Sequence, residues 1–133
     1  MAGVMVIDAS VLIALHNSKD PHHDWSLGVF HQTLDLQWRM PVLTLAEALV
    51  HPIKAGKGEE FQKNIAGLGL VVQEIPSTAA STIAGLRVST GLRMPDCVVL
   101  WQALQNRATL ATTDRALAKK ARELALEVFE PKF

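Results

Sequence analysis

The chain has 133 residues, of which 49% are hydrophobic and 20% are charged, a composition typical of a folded globular protein that excludes a disordered one. Thirteen basic residues balance thirteen acidic ones, so the net charge predicts no particular class of partner. A single cysteine excludes an internal disulfide, and the apolar run at residues 4–15 is too short for a transmembrane helix. We therefore expect one domain, residues 1–133, in a cytoplasmic protein without a membrane span.

Short apolar runs alternate along the chain with segments of helical periodicity. Strands are predicted at residues 4–7, 40–43, 70–75, 109–112 and 126–129. Helices are predicted at residues 9–15, 24–36, 44–50, 59–68, 77–89, 94–104 and 115–121. This alternation predicts βαβ crossovers, and therefore a mainly parallel sheet with helices on both faces.

Local signals indicate where several helices begin. Thr44 and Glu47 have the spacing of a capping box. Pro95 suits the first turn of a helix because it has no N–H to lose there. Asp96 follows it, where a carboxylate interacts favourably with exposed amides. For Asp96 taken alone, helix capping and a chemical role explain the sequence equally well.

Four acidic residues fall where the predicted strands end. Asp8 directly follows the first strand, and Asp114 follows the fourth by two residues. Glu47 lies one turn into the helix after the second strand, and Asp96 lies near the start of a helix. Because the carboxyl ends of parallel strands share one edge, these carboxylates are expected to converge there. They would repel one another without a cation, and hard oxygen ligands of this kind suit Mg²⁺ or Mn²⁺.

Four segments resemble, in order, the motifs of PIN domains, in particular those of VapC-type ribonuclease toxins from toxin–antitoxin pairs. The segments are VIDASVL at residues 6–12, TLAEAL at 44–49, LRMPDC at 92–97 and TTDRAL at 112–117. Cys97 stands where the family commonly has alanine, which is a conservative difference. The resemblance covers the whole chain and implies a three-layer α/β/α sandwich with a mainly parallel central sheet.

The resemblance also implies a Mg²⁺- or Mn²⁺-dependent endoribonuclease with Asp8, Glu47, Asp96 and Asp114 as its acidic quartet. Asp8 and Asp96 would be the most direct metal ligands, whereas direct ligation by Asp114 is less general in the family. The residues expected to brace the site or contact the substrate are Ser10, Arg93, Thr112, Thr113 and Arg115. For the two arginines, surface salt bridges are an equally good explanation. The implied partners are an RNA substrate, a cognate antitoxin that inserts a C-terminal segment into the active-site groove, and a second copy in a homodimer.

Other protein classes fit the sequence less well. Aspartyl-phosphate phosphatases need a second Asp two residues after the first, where Ser10 stands, and receiver domains need an acid pair near the first strand. The five histidines lack a zinc-binding spacing. The main alternative is a PIN fold without catalysis that binds RNA or protein, which the presence of all four acids disfavours.

Overall fold

The computed structural model describes residues 3–132 and is built on a five-stranded, all-parallel sheet. The strands are β1 (Val4–Ile7), β2 (Gln37–Pro41), β3 (Val71–Gln73), β4 (Thr109–Ala111) and β5 (Val128–Phe129). The helices are α1 (Ala9–His16), α2 (His23–Gln32), α3 (Val42–Lys54), α4 (Gly58–Gly67), α5 (Ala80–Thr90), α6 (Met94–Asn106) and α7 (Arg115–Glu123). The predicted α/β/α sandwich is confirmed.

The two faces of the sheet bury separate apolar cores. Successive side chains of a strand point to opposite faces, so Val6 packs with the core of α5, α6 and α7, whereas Met5 and Ile7 pack with α1 to α4. Because helices cover both faces, the strand β1 is apolar at every position rather than alternating. Within residues 3–132 no helix combines the length and apolar character needed to cross a bilayer.

The strand order places one crevice at the carboxyl edge of the sheet. The order of the strands is β3-β2-β1-β4-β5. The chain adds β2 and β3 on one side of β1, and then returns to add β4 and β5 on the other side. The carboxyl ends of β1 and β4 are adjacent, and the amide of Asp8 donates to the carbonyl of Ala111 at 3.4 Å. In open parallel sheets, ligand sites form where the strand order reverses in this way.

The boundary between the second strand and the third helix differs from the prediction. The strand β2 occupies residues 37–41 rather than 40–43, and α3 begins directly after it with Pro41 as the N-cap. Thr44 therefore lies inside α3, and the predicted capping box is wrong. Pro52 does not end the helix either, since α3 continues to Lys54.

Smaller differences occur at other element ends. The second helix ends at Gln32, where the Thr33 hydroxyl donates to the carbonyl of Val29. A 3₁₀ turn at Ser77–Ala79 precedes α5, which has no side-chain cap. Trp38 lies on β2 with 4% of its surface exposed, and its indole N–H donates to the Thr33 hydroxyl at 2.9 Å. It is therefore a core residue.

Candidate active site at the carboxyl edge of the sheet

Asp8 is the most deeply buried of the four acids, with 7% of its surface exposed. It is the N-cap of α1, and its Oδ1 accepts from the amide of Val11 at 3.3 Å. The Ser10 hydroxyl also donates to Oδ1, and the Thr112 hydroxyl donates to Oδ2. Each oxygen of the carboxylate therefore has a hydroxyl donor, which fixes the orientation of the side chain.

Burial dominates the protonation of Asp8. Desolvation raises the pKa of this carboxyl from 3.8 to about 6, although the hydrogen bonds from Ser10, Thr112 and Val11 act in the opposite direction. The charge of Asp96 also contributes to this rise. Ionising Asp8 in the folded protein therefore costs free energy, and a nearby cation would reduce that cost.

The two hydroxyls that hold Asp8 also hold the loop after β4. The amide of Thr113 donates to the Ser10 hydroxyl at 3.1 Å, and the amide of Asp114 donates to the Thr112 hydroxyl at 2.9 Å. Ser10 and Thr112 therefore join the end of β1 to the end of β4 through hydrogen bonds. Their hydroxyls position the acids, rather than standing open to a substrate.

Asp114 has a structural role in addition to its place in the cluster. It is the N-cap of α7, and its Oδ1 accepts from the amides of Ala116 and Leu117 at 2.9 and 3.1 Å. At least one of its carboxylate oxygens is thus engaged with the helix. This explains the position of Asp114 without requiring it to bind a metal directly.

Asp96 lies in the first turn of α6, half-buried, after the N-cap residue Arg93. Burial raises the pKa of Asp96 most, and the charge of Asp114 raises it further. The guanidinium of Arg93 acts in the opposite direction, with its Nε 3.8 Å from Oδ2 of Asp96. Arg93 therefore forms the surface salt bridge that was the alternative to a role in substrate binding. Its side chain is 79% exposed, so solvent largely screens the pair.

Glu47 is exposed on α3 at the rim of the same crevice. Partial desolvation raises the pKa of Glu47, the charge of Asp96 raises it further, and Arg93 lowers it. Asp96 thus interacts by charge with all three other acids. The structure brings the quartet into one electrostatic cluster with Asp96 at its centre.

The donor set fits a hydrated hard cation rather than a closed metal cage. Across residues 3–132 no group of three or more His, Cys, Asp or Glu side chains is placed to hold a metal together. Mg²⁺ keeps several waters and commonly binds only one or two carboxylates, so this spacing is compatible with it. The raised pKa values of three of the acids indicate negative charge that a divalent cation would stabilise.

The remaining predicted residues lie around this cluster. Arg115 is exposed at the first position of α7, next to Asp114, and Thr113 is half-buried in the preceding loop. The Thr44 hydroxyl, predicted to cap a helix, is instead buried in the first turn of α3 without a hydrogen-bond partner among the described residues. The TLAEAL segment contains Thr44, but its burial could not be foreseen while the start of α3 was misplaced.

Residues 5–123 match the family model described as the PIN domain. The chain belongs to the PIN domain family. A comparison with curated proteins finds no match. The acidic cluster described above is therefore the candidate active site of a PIN domain.

Solved structures share the fold of this PIN domain at low sequence identity. In a toxin–antitoxin complex from Klebsiella pneumoniae, the similar chain has a TM-score of 0.68 and 20% identity, with 83% of this chain and 86% of that chain covered. VapBC2 from Rickettsia felis, bound to a DNA fragment from its promoter, has a TM-score of 0.69 and 16% identity, with 96% of this chain and 98% of that chain covered. FitAcB from Neisseria gonorrhoeae has a TM-score of 0.67 and 15% identity, with 95% of this chain and 96% of that chain covered.

Proposed function

We propose that this PIN domain is a Mg²⁺- or Mn²⁺-dependent endoribonuclease, made of one nuclease domain, and that it acts in the cytoplasm as the toxin of a toxin–antitoxin pair. The observation that carries the proposal is the electrostatic cluster in which Asp96 interacts with the other three acids at the point where the strand order reverses. The shared fold with a toxin–antitoxin complex from Klebsiella pneumoniae adds support for the biological role.

The reaction is hydrolysis of an RNA phosphodiester. The oxygen of a water molecule attacks phosphorus, and the bond from phosphorus to O3′ breaks, which leaves a 5′-phosphate and a 3′-hydroxyl. Asp8 and Asp96 would hold the cation, and Glu47 and Asp114 would lie around it. When bound, the cation supplies charge to stabilise the phosphate oxygens and lowers the pKa of a coordinated water.

The residues of the chain have distinct tasks in this scheme. Ser10 and Thr112 keep the Asp8 carboxylate in one orientation, because they donate to its two oxygens. Glu47 is exposed and has a raised pKa, which suits it to accept the proton of the attacking water. Arg93, the N-cap of α6, and Arg115, the first residue of α7, are both exposed and contact backbone phosphates of the RNA.

The partners are an antitoxin, whose C-terminal segment enters the groove above the acids, and a second copy of the chain. Several large apolar side chains are exposed on α3, on the edge strand β3 and on α5, and a homodimer would cover them. They are Val42, Val50, Ile53, Val71, Val72 and Val88.

The test is cleavage of structured RNAs, including tRNA and ribosomal fragments, by antitoxin-free protein. Wild type, Asp96→Asn and the matched control Asp35→Asn, an exposed carboxylate in the loop before β2, are assayed with Mg²⁺, with Mn²⁺ and with chelator. We expect cutting that requires metal, persists in Asp35→Asn and is lost in Asp96→Asn. Cutting that survives both chelation and Asp96→Asn would refute the mechanism.

A non-catalytic binding module is the second candidate function. It is favoured by the finding that, in the described part of the chain, no three metal-binding side chains are placed to hold an ion together. If calorimetry detects no binding of Mg²⁺ or Mn²⁺ and no RNA is cut, this second function replaces the first.

A further inference from the structure

A cavity of about 420 Å³ lies between α1, α3 and α4, and none of the four acids lines it. Its floor is aromatic and apolar. The ring of Phe61, 8% exposed, packs against the imidazole of His16 with centroids 4.7 Å apart and an interplanar angle of 50°. A volume of this order is typical of pockets that take small molecules or single building blocks of larger ligands.

The polar side chains that line this cavity are two amides, two N–H donors and one carboxylate, that of Glu60, which can accept from the N–H groups of a base edge. Asn64 offers an amide that can donate and accept hydrogen bonds at the same time, whereas Oδ1 of Asn17 already accepts from the amide of Lys19 at 3.0 Å, so Asn17 offers mainly its NH₂ donor. His51 and Lys57 offer N–H donors that suit a phosphate oxygen. Aromatic rings with amide, carboxylate and N–H groups around them match the three parts of a nucleotide, namely the base face, the base edge and the phosphate.

The cavity is connected to the acidic cluster through α3. Glu47 belongs to the cluster, and the next residue, Ala48, lines the cavity. His51 is one helical turn after Glu47, so the two exposed side chains are neighbours on the same face of α3, with Cβ atoms about 5–6 Å apart. A single strand that runs from the acids along α3 therefore reaches the cavity within a short distance.

We propose that this cavity binds one unpaired base of the RNA, beside the bond that is cut, and that it contributes to the choice of cleavage sequence. The base lies against His16 and Phe61, the amides of Asn17 and Asn64 bind its edge, and His51 and Lys57 contact the adjoining phosphate. This inference rests on the proposed nuclease function for its biological meaning, but the binding itself needs no catalysis.

The first experiment measures binding without divalent cation, so that its result is independent of hydrolysis. The full chain is titrated with AMP, CMP, GMP and UMP, and chemical shifts in the two-dimensional NMR spectrum report which residues respond. We expect cavity residues to respond, with one base favoured. Asn64→Ala should weaken the favoured nucleotide about tenfold, as expected for the loss of one specific base contact. Gln62→Ala, which removes an exposed amide on the same helix outside the cavity, should leave binding unchanged.

The second experiment compares the cleavage patterns of wild type, Asn64→Ala and Gln62→Ala on a randomised single-stranded RNA. We expect Asn64→Ala alone to change the base preference at one position near the cut. Nucleotides that shift no cavity resonance, or the same cleavage preference in all three proteins, would overturn the inference. A cavity that responds to the antitoxin but not to any nucleotide would also overturn it, in favour of a protein-binding role.

The two proposals fail in different ways. A wild type that binds one base in the cavity but cuts no RNA would refute the nuclease and leave the base pocket standing. A wild type that cuts RNA with metal, while no nucleotide reaches the cavity, would refute the pocket and leave the nuclease standing.

Discussion

Burial of Asp8 should make the metal-free protein less stable as the pH rises, which is opposite to the usual contribution of a carboxylate. Its pKa is raised from 3.8 to about 6 by desolvation. Below pH 3.8 the carboxyl is protonated in both the folded and the unfolded chain, so it contributes no pH dependence. Between these two pKa values the unfolded chain releases the proton while the folded chain keeps it, and the free energy of unfolding falls. Above the folded-state pKa the full cost remains.

The size of this effect follows from the shift in pKa. A change of about two pKa units corresponds to about 3 kcal/mol at 1.36 kcal/mol per unit. Little of this is screened by solvent, because only 7% of the Asp8 surface is exposed. A loss of this size is a large part of the stability of a small domain, which is typically about 5–15 kcal/mol.

Urea denaturation with chelator present, repeated between pH 4 and pH 8, measures the effect. Wild type is compared with Asp8→Asn and with Asp35→Asn, whose carboxylate is exposed. The difference in the free energy of unfolding between wild type and Asp8→Asn at pH 4 reports mainly the altered hydrogen bonds to Ser10 and Thr112. The change in that difference with pH reports the charge, and between pH 4 and pH 8 we expect it to favour Asp8→Asn by about 2.4 kcal/mol, because part of the full effect is already present at pH 4. Parallel curves for the two proteins, with a constant offset, would refute the reasoning.

Three further predictions concern the metal, the hydroxyl network and the dimer. At pH 7.5, Mg²⁺ at a hundred times its Kd should raise the free energy of unfolding by about 2.7 kcal/mol, and the gain should disappear in Asp96→Asn; an equal gain in both proteins would contradict this. Thr112→Val removes both the donor to Asp8 and the acceptor for the Asp114 amide, so thermal unfolding should show a loss of about 1–3 kcal/mol; an unchanged Tm would contradict it. Ile53→Lys, at a side chain that is 60% exposed, should shift sedimentation towards the monomer without changing the circular dichroism; an unchanged dimer would exclude α3 from the interface.

The parts of the fold that the sequence predicted are those determined by local patterns. Asp8 and Asp114 each follow a short apolar run that forms a strand, so the ends of β1 and β4 and the helices after them follow from neighbouring residues. Because parallel strands share their carboxyl edge, the convergence of these acids needed no knowledge of distant contacts.

The start of β2 was misplaced because its contacts are distant in sequence. Residues 37–41 contain Gln37 and Arg39, which break the apolar run expected of a buried strand. The guanidinium of Arg39 donates to Gln37 and, across the fold, to the side-chain amide of Asn106 at 2.8 Å. These hydrogen bonds satisfy the polar side chains of β2 within the folded protein. A pattern of hydrophobic residues in one segment cannot reveal a partner 67 positions away.

Metal binding and proton release should be linked at this site. The carboxyl of Asp8 has a pKa of about 6, and those of Glu47 and Asp96 are also raised, so part of the cluster is protonated below neutral pH. A cation binds the ionised carboxylates, and it must therefore displace these protons. At pH 5.5, Asp8 alone should release about three quarters of a proton for each ion bound, and the number should fall towards zero at pH 8.

Calorimetry of Mn²⁺ binding in buffers with different enthalpies of ionisation measures this number directly. Asp8→Asn should reduce the protons released at pH 5.5, whereas Asp35→Asn should not. A release that is the same at pH 5.5 and pH 8 would mean that the ion binds away from the buried carboxylate. In that case the raised pKa of Asp8 would be only a consequence of its burial, and the assignment of the metal to Asp8 and Asp96 would have to be abandoned.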